Sequence, residues 1–242
     1  MKIVSVAFLA FLLGVLLMQP LNLAAQQRPS PEAIANTLRS GTRTGRTTLA
    51  RRLGISDPNW TNCVDDLQIN VDHPHLDRDT ETSVLRVECG YDLYLVLFGR
   101  KPGSFWKKLD TLFLYDAYNN ATLAYQSLIR PGVQELVVQN AATVSGNLYE
   151  SYFLVIRVVD GHLLTALAAL ETSGEPRIGS EPRSLKSTFT IQPATASELG
   201  EIDQVAHLTI GSRSFEVHSS YSWNDHLSAF AKDGADDISQ LR

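Results

Sequence analysis

Tyr91-Asp92-Leu93-Tyr94-Leu95-Val96-Leu97-Phe98 is the stretch that decides the fold. Apart from Asp92 it is wholly aliphatic or aromatic. It is bounded by Gly90 and by Lys101-Pro102-Gly103. A run this short between turn residues, with neither helical nor alternating periodicity, reads as a strand buried on both faces. Tyr152–Val159 (YFLVIRVV) is a second run of the same kind and ends at Asp160-Gly161, a two-residue hairpin signal. Between and around them lie Leu67–Val71, Val84–Cys89, Trp106–Tyr115, Ala121–Ile129 and Gln134–Gln139. Further on, Leu185, Ser187, Phe189 and Ile191 alternate with Lys186, Thr188 and Thr190, and Gly211-Ser212 joins Val205–Ile210 to Phe215–His218. His162–Leu170 (HLLTALAAL) has helix-forming composition but follows directly from a hairpin signal, so it is read as a strand. Asn224–Ala231 is expected to form a short helix ahead of an acidic tail.

The strands recur as a unit. Ser83–Val87 is echoed by Gln134–Val138, Leu93–Phe98 by Tyr152–Arg157, and Trp106–Phe113 by His162–Ala169, a period of roughly fifty residues. The expected fold is mainly β: antiparallel meanders arranged as blade-like sheets or a two-sheet sandwich, behind one or two short N-terminal helices.

The N-terminal helices are legible from their ends. Ser30 can cap a helix with Pro31 at its first position and Glu32 in its first turn, stopped by Ser40-Gly41. A second is expected from Thr44 or Thr47 to Leu53, with Gly54 as its C-terminal glycine. Ahead of them, Met1-Lys2, the apolar run Ile3–Met18 and the small residues Ala24-Ala25 form the pattern of a secretory signal peptide over residues 1–25. Ile3 to Ala25 is also long enough to remain as an anchor. The domain reading is therefore a leader (1–25), a basic helical arm (26–56), an antiparallel β domain (57–223) and a short helix with an acidic tail (224–242). The expected location is periplasmic or extracellular.

Charge divides at the arm. Residues 28–52 carry six arginines against Glu32 alone, whereas residues 53–242 carry 14 basic and 25 acidic side chains. An arm packing on an acidic body is expected, and membrane contact only through an uncleaved leader or that arm. An acidic exported body excludes nucleic acid as a partner. Cys63 and Cys89 are the only cysteines, and in an exported chain they are expected to form a disulfide.

No catalytic residue is singled out. Gly179-Ser180-Glu181-Pro182 and Gly211-Ser212-Arg213-Ser214 lack the second glycine of a nucleophile elbow. Gly41–Thr47 is too short for a phosphate loop, and Arg46 replaces the lysine. The richest polar cluster is Asp72–Glu81. Its His73, His75, Asp77, Asp79 and Glu81 are the candidate metal ligands, the oxygens suiting calcium and the imidazoles zinc. A solvated loop is the plainer alternative. Within it, Asp77-Arg78-Asp79-Thr80-Glu81-Thr82-Ser83-Val84-Leu85-Arg86-Val87 resembles the acidic loop and following strand of FG-GAP or VCBS-type repeats. That family holds calcium with acidic residues at alternate positions, which Asp77, Asp79 and Glu81 match. Thr80 and Thr82 stand where its loop glycines are expected, and Arg130-Pro131-Gly132-Val133 in the second unit lacks the acids. More broadly, the chain resembles exported bacterial β-meander proteins, a likeness that implies no activity.

The leading expectation is an exported, non-enzymatic binding protein with a protein or glycan partner and no cofactor. The alternative is an exported metal-binding protein or metal-dependent hydrolase centred on residues 72–81.

Overall fold

A computed structural model describes residues 29–55, 60–115, 121–145, 148–175 and 183–234. The leader, the expected tail beyond residue 234, and the 56–59 turn lie outside the described residues. Two helices, α1 (Pro31–Ser40) and α2 (Arg43–Leu53), and a helical turn, α3 (Trp60–Cys63), precede twelve strands. The strands are β1 (Gln68–Asp72), β2 (Glu81–Cys89), β3 (Asp92–Arg100), β4 (Lys107–Tyr115), β5 (Thr122–Arg130), β6 (Val133–Ser145), β7 (Leu148–Val159), β8 (His162–Glu175), β9 (Arg183–Gln192), β10 (Glu201–Ile210), β11 (Arg213–Asn224) and β12 (Ala229–Lys232).

All twelve belong to one antiparallel sheet in the order β1-β2-β3-β4-β6-β7-β8-β9-β10-β11-β12, with β5 paired to β6. The pairing is uneven. β2–β3 and β10–β11 pair along their whole lengths. Among the described residues, β4 pairs with β6 only at Tyr115 and Ala142, and β8 with β9 only over Thr172–Glu175. These narrow seams divide the sheet into three meanders (β1–β4, β5–β8, β9–β12) and let it fold back so that the meanders stack face to face.

The burial pattern records the stacking. In β3, Leu93 to Gly99 is buried at every position. Tyr94, Val96 and Phe98 join Leu85 and Val87 beneath Ile34, Ala35 and Leu38 of α1 and Ala50 and Leu53 of α2. Leu93, Leu95 and Leu97 point the other way, into a core shared with Leu136, Leu154 and Ile156 of the second meander. That meander in turn buries Val137, Phe153 and Val155 against Ile202, Trp223 and Phe230 of the third. Phe153 and Phe189 stack across this interface with ring centroids 4.2 Å apart. The third meander's inner face also carries polar groups, each satisfied. The Gln204 amide donates to Leu170 O and Ser187 Oγ at 3.0 and 2.9 Å, and the Tyr221 hydroxyl donates to Gln204 Oε1 at 2.7 Å. Its outer face alternates to Lys186, Thr188 and Thr190 on β9, Asp203 and His207 on β10, and Glu216, His218 and Ser220 on β11.

Local signals explain the helices. The Ser30 hydroxyl accepts from Ala33 N–H at 3.2 Å, and Pro31 begins α1. Thr42 does the same for Gly45, so α2 starts at Arg43, earlier than the threonines Thr44 or Thr47 suggested. Gly54 ends it at φ 82°, in the left-handed region that glycine occupies at little cost. The helices are pinned to the sheet as well as packed on it. Thr111 donates to Leu53 O at 2.5 Å, Arg39 to Ile69 O at 2.6 Å, and Arg46 pairs with Asp65 at 2.6 Å.

One expected element is corrected. Asn224–Ala231 is a hairpin rather than a helix: β11 runs to Asn224 and returns as β12 through a turn at 225–228. Asn224 Oδ1 accepts from Leu227 N–H, and Ser228 adopts φ 51°, which breaks any helix. The return places Phe230 edge-on to Trp223 with centroids 5.5 Å apart. His162–Leu170, by contrast, is a strand as the hairpin signal required.

Two carboxylates repair breaks in the sheet. The β5–β6 register jumps between Gln126 and Arg130. There the N–H groups of Leu128 and Ile129 donate to Glu135 Oε2 at 2.7 and 3.3 Å. The carbonyls of Ser127 and Leu128 accept from Ala194 and Gly200, each at 2.7 Å. A Cβ on Gly200 would lie 2.7 Å from Leu128 O, so only glycine fits this crossing. At the second break, Asn140 (φ 59°) donates its N–H to Glu171 Oε2 at 2.6 Å.

Cys63 and Cys89 form a disulfide with Cα atoms 5.2 Å apart, tying α3 to the end of β2. Replacing both with alanine is expected to lower stability by about 3.5 kcal/mol, the chain-entropy value for a loop of this length, in a denaturant titration. Protein kept from reductant is expected to add no alkyl group in an intact-mass measurement. Burial pushes the Glu135 carboxyl above its ordinary value, against the backbone N–H groups that lower it. A raised folded-state pKa stabilises the fold when the acid is protonated, and that stabilisation is lost as pH rises through it. Unfolding titrations of wild type and E135Q should therefore show wild type gaining on the variant as pH falls toward the unfolded-state value near 4.5.

Candidate functional site

The loop joining β1 to β2, residues 73–80, stands at the end of the stack where the β3–β4, β5–β6 and β7–β8 turns also emerge. Every stretch of it is tied down. The His75 N–H donates to Gln134 Oε1 at 2.9 Å, and the Gln134 N–H donates back to His75 O at 2.7 Å. The Thr82 hydroxyl donates to Pro74 O and accepts from Leu76 N–H. Leu76 itself plugs the core between the first two meanders. Asp77 Oδ1 accepts from Asp79 N–H at 2.7 Å, closing a local turn. Asp72 accepts from the Tyr125 hydroxyl at 2.9 Å; burial first, and then the Asp72 charge, push that phenol's pKa far up. The loop is thereby a rigid wall, unlike an ordinary solvated connection.

Three clefts share this wall. The first, about 510 Å³, lies between His73, His75 and Glu81 on the loop side and Glu32, Arg100 and Trp106 opposite. Its charges are matched within the chain. His73 Nε2 sits 2.9 Å from Glu32 Oε1. Arg100 donates through Nε and Nη2 to Glu81 Oε2 at 2.7 and 2.6 Å, while its guanidinium lies 4.7 Å from the centre of the Trp106 ring. The Glu32 carboxyl is held below its ordinary value, chiefly by the Ser30 hydroxyl, with smaller help from its own backbone N–H, His73 and Arg100.

The second cleft, about 550 Å³, is lined by Asp77 and Asp79 of the loop, Lys101 and Phe105 of the β3–β4 turn, Lys107 at the start of β4, and Asp160 of the β7–β8 turn. Its floor is Gly99, Leu109 and Gly161. The third, about 220 Å³, lies where the same loop residues meet Arg130, Glu135 and Arg157.

The five candidate metal ligands are distributed around this wall and do not converge. His73 goes to Glu32, Glu81 to Arg100, and Asp77 to the Asp79 backbone, while Asp79 borders the second cleft and His75 the first. Among the described residues no three His, Cys, Asp or Glu side chains gather in a way that could hold a metal ion. His207 and His218 lie diagonally on the third meander's outer face and both reach Glu216, at 3.4 and 2.7 Å.

Sequence reasoning missed Arg100, Lys101, Phe105, Lys107 and Asp160 as site residues, because each stands in or beside a turn that explains it structurally. The available signal was the density of cations beside aromatics in Arg100–Lys108 (RKPGSFWKK). Trp106 is half-buried under Arg100 and lines the first cleft.

Replacing Arg100 with alanine removes a forked ion pair and a stacked cation together. The expected cost is about 1 kcal/mol in a denaturant titration, with a red shift of tryptophan emission from the uncovered Trp106. Comparison with known proteins finds no family model, no curated protein and no solved structure that matches this chain.

Proposed function

We propose that the protein is exported and works as a non-enzymatic binding protein of the cell envelope or extracellular space, holding a protein or glycan partner at the turn end of the stack. The observation that carries this reading is the sharing of one rigid loop by three clefts. A wall fixed by backbone and side-chain hydrogen bonds presents its side chains in one arrangement, which lowers the ordering cost of association. The polar groups of the first cleft are engaged with one another, which helps to hold the wall in place. A disulfide persists in an oxidising compartment, which agrees with the leader pattern. Among the described residues no helix is long and apolar enough to cross a membrane.

A photo-cross-linking side chain at Thr80, on the shared wall, is expected to yield a specific adduct in the native envelope. The same group at Thr188, on the outer face of the third meander, is expected to yield none. Equal labelling at both positions, or none at Thr80, would remove the turn end as the binding surface.

A further inference from the structure

The first and second clefts share Arg100 but treat charge in opposite ways. In the first, Glu32 has the His73 imidazole beside it and Glu81 has Arg100. In the second, Asp77, Asp79, Asp160, Lys101 and Lys107 line one cleft, and none of the five forms an ion pair among the described residues. Arg100, between the clefts, is already spent on Glu81. Carboxylates and ammoniums that line one cleft without pairing leave both signs open to a bound molecule. A molecule between them can satisfy both.

The scaffold keeps the gap open. The aspartate wall is fixed by the Asp77–Asp79 turn and by Leu76 in the core. Asp160 sits at φ 51° with Gly161 at φ 82°, the paired left-handed geometry of a tight hairpin, so its position is set by β7 and β8. The lysines stand on either side of the Pro102-Gly103 turn, whose Ser104 N–H and hydroxyl both close on Lys101 O. The floor is apolar at Leu109. A Cβ on Gly99 would lie 2.6 Å from Leu109 Cδ1, so the glycine lets this leucine settle there. Phe105, 49% exposed, stands at the rim.

We propose that the second cleft binds a zwitterion of short-peptide size, its ammonium end toward Asp77, Asp79 and Asp160 and its carboxylate end toward Lys101 and Lys107. The middle of the ligand lies over Leu109 and against Phe105. The volume, about 550 Å³, falls in the range of small-molecule sites. Charge-assisted hydrogen bonds at both ends supply orientation as well as affinity. This inference rests on the binding reading above and names a ligand class for part of the same surface.

The test is calorimetric titration of the purified protein with trialanine carrying free ends, with its N-acetyl form and with its C-terminal amide. Free trialanine is expected to bind, and blocking either end is expected to weaken binding about tenfold. The variants D79N and K107M, both at exposed positions, give the crossed result. D79N should lose sensitivity to N-acetylation while keeping sensitivity to amidation, and K107M the reverse. A far-ultraviolet circular dichroism spectrum unchanged from wild type confirms that each variant is folded. Failure of free trialanine to bind, equal binding of free and blocked forms, or variants without the crossed pattern would overturn the proposal. O-Phosphoethanolamine carries the same two charge types at closer spacing, so its binding in preference to trialanine would overturn the assignment to a peptide. Peptide binding without a Thr80 adduct would remove the macromolecular partner only. An adduct without peptide binding would remove the zwitterion only.

Discussion

The rest of the structure depends on β3 being buried on both faces. One set of its side chains lies under the helices and the alternate set meets the second meander. A strand in that position cannot be served by a single apolar layer. It needs a cover on each side, and the two covers come from opposite directions along the chain. The helices precede β3, and the second meander follows it. Apolar burial of this kind contributes about 1.5–3 kcal/mol for each large side chain removed from water. Seven consecutive buried positions therefore commit both neighbouring layers to their places.

Once β3 is sandwiched, the sheet must turn back on itself, and the cost falls on the backbone. Long strands that serve two cores need bulges where their register slips, and each bulge strands N–H and C=O groups away from the ladder. Glu135, Glu171 and the crossing at Gly200 meet that need. They are buried or tightly fitted for structural reasons, and a carboxylate held this way is costly because it is desolvated, not because it is reactive. The same folding-back brings turns of the first two meanders to one end, where loop 73–80 becomes a shared wall. The clefts are thus a by-product of stacking, with their walls as stiff as the sheets that carry them.

Much of this was legible in the residues. The unbroken run at Leu93–Phe98, the Ser30-Pro31 start of α1, the Asp160-Gly161 turn and the Cys63–Cys89 pair all follow from local rules. The hairpin at Asn224–Ala231 did not, because what decides it is Phe230 reaching Trp223, a contact that no local propensity contains. The site was half-legible. Residues 72–81 stood out by composition, yet their partners are set by folding: Glu32 lies far upstream of His73, and Asp160 reaches the cleft only because β7 ends beside β4. A cluster that reads as a ligand set on paper is parcelled out among separate neighbours once the meanders stack. Arg100–Lys108 was overlooked for the opposite reason, since a turn needs no other explanation.

The outer face of the third meander has a meaning of its own. Every other broad sheet face in the stack is a bed for the next layer, with aliphatic side chains at alternate positions. Here most of those positions hold threonine, serine, histidine, lysine and carboxylates, around a single central Val205. A fourth meander laid on them would strand charge after charge in a dry interface. At the other end, the helices occupy the corresponding surface of the first meander. The stack is therefore closed by a helical lid on one side and a wetted face on the other. Adding a unit beyond the third would require the third to be rewritten as an inner one.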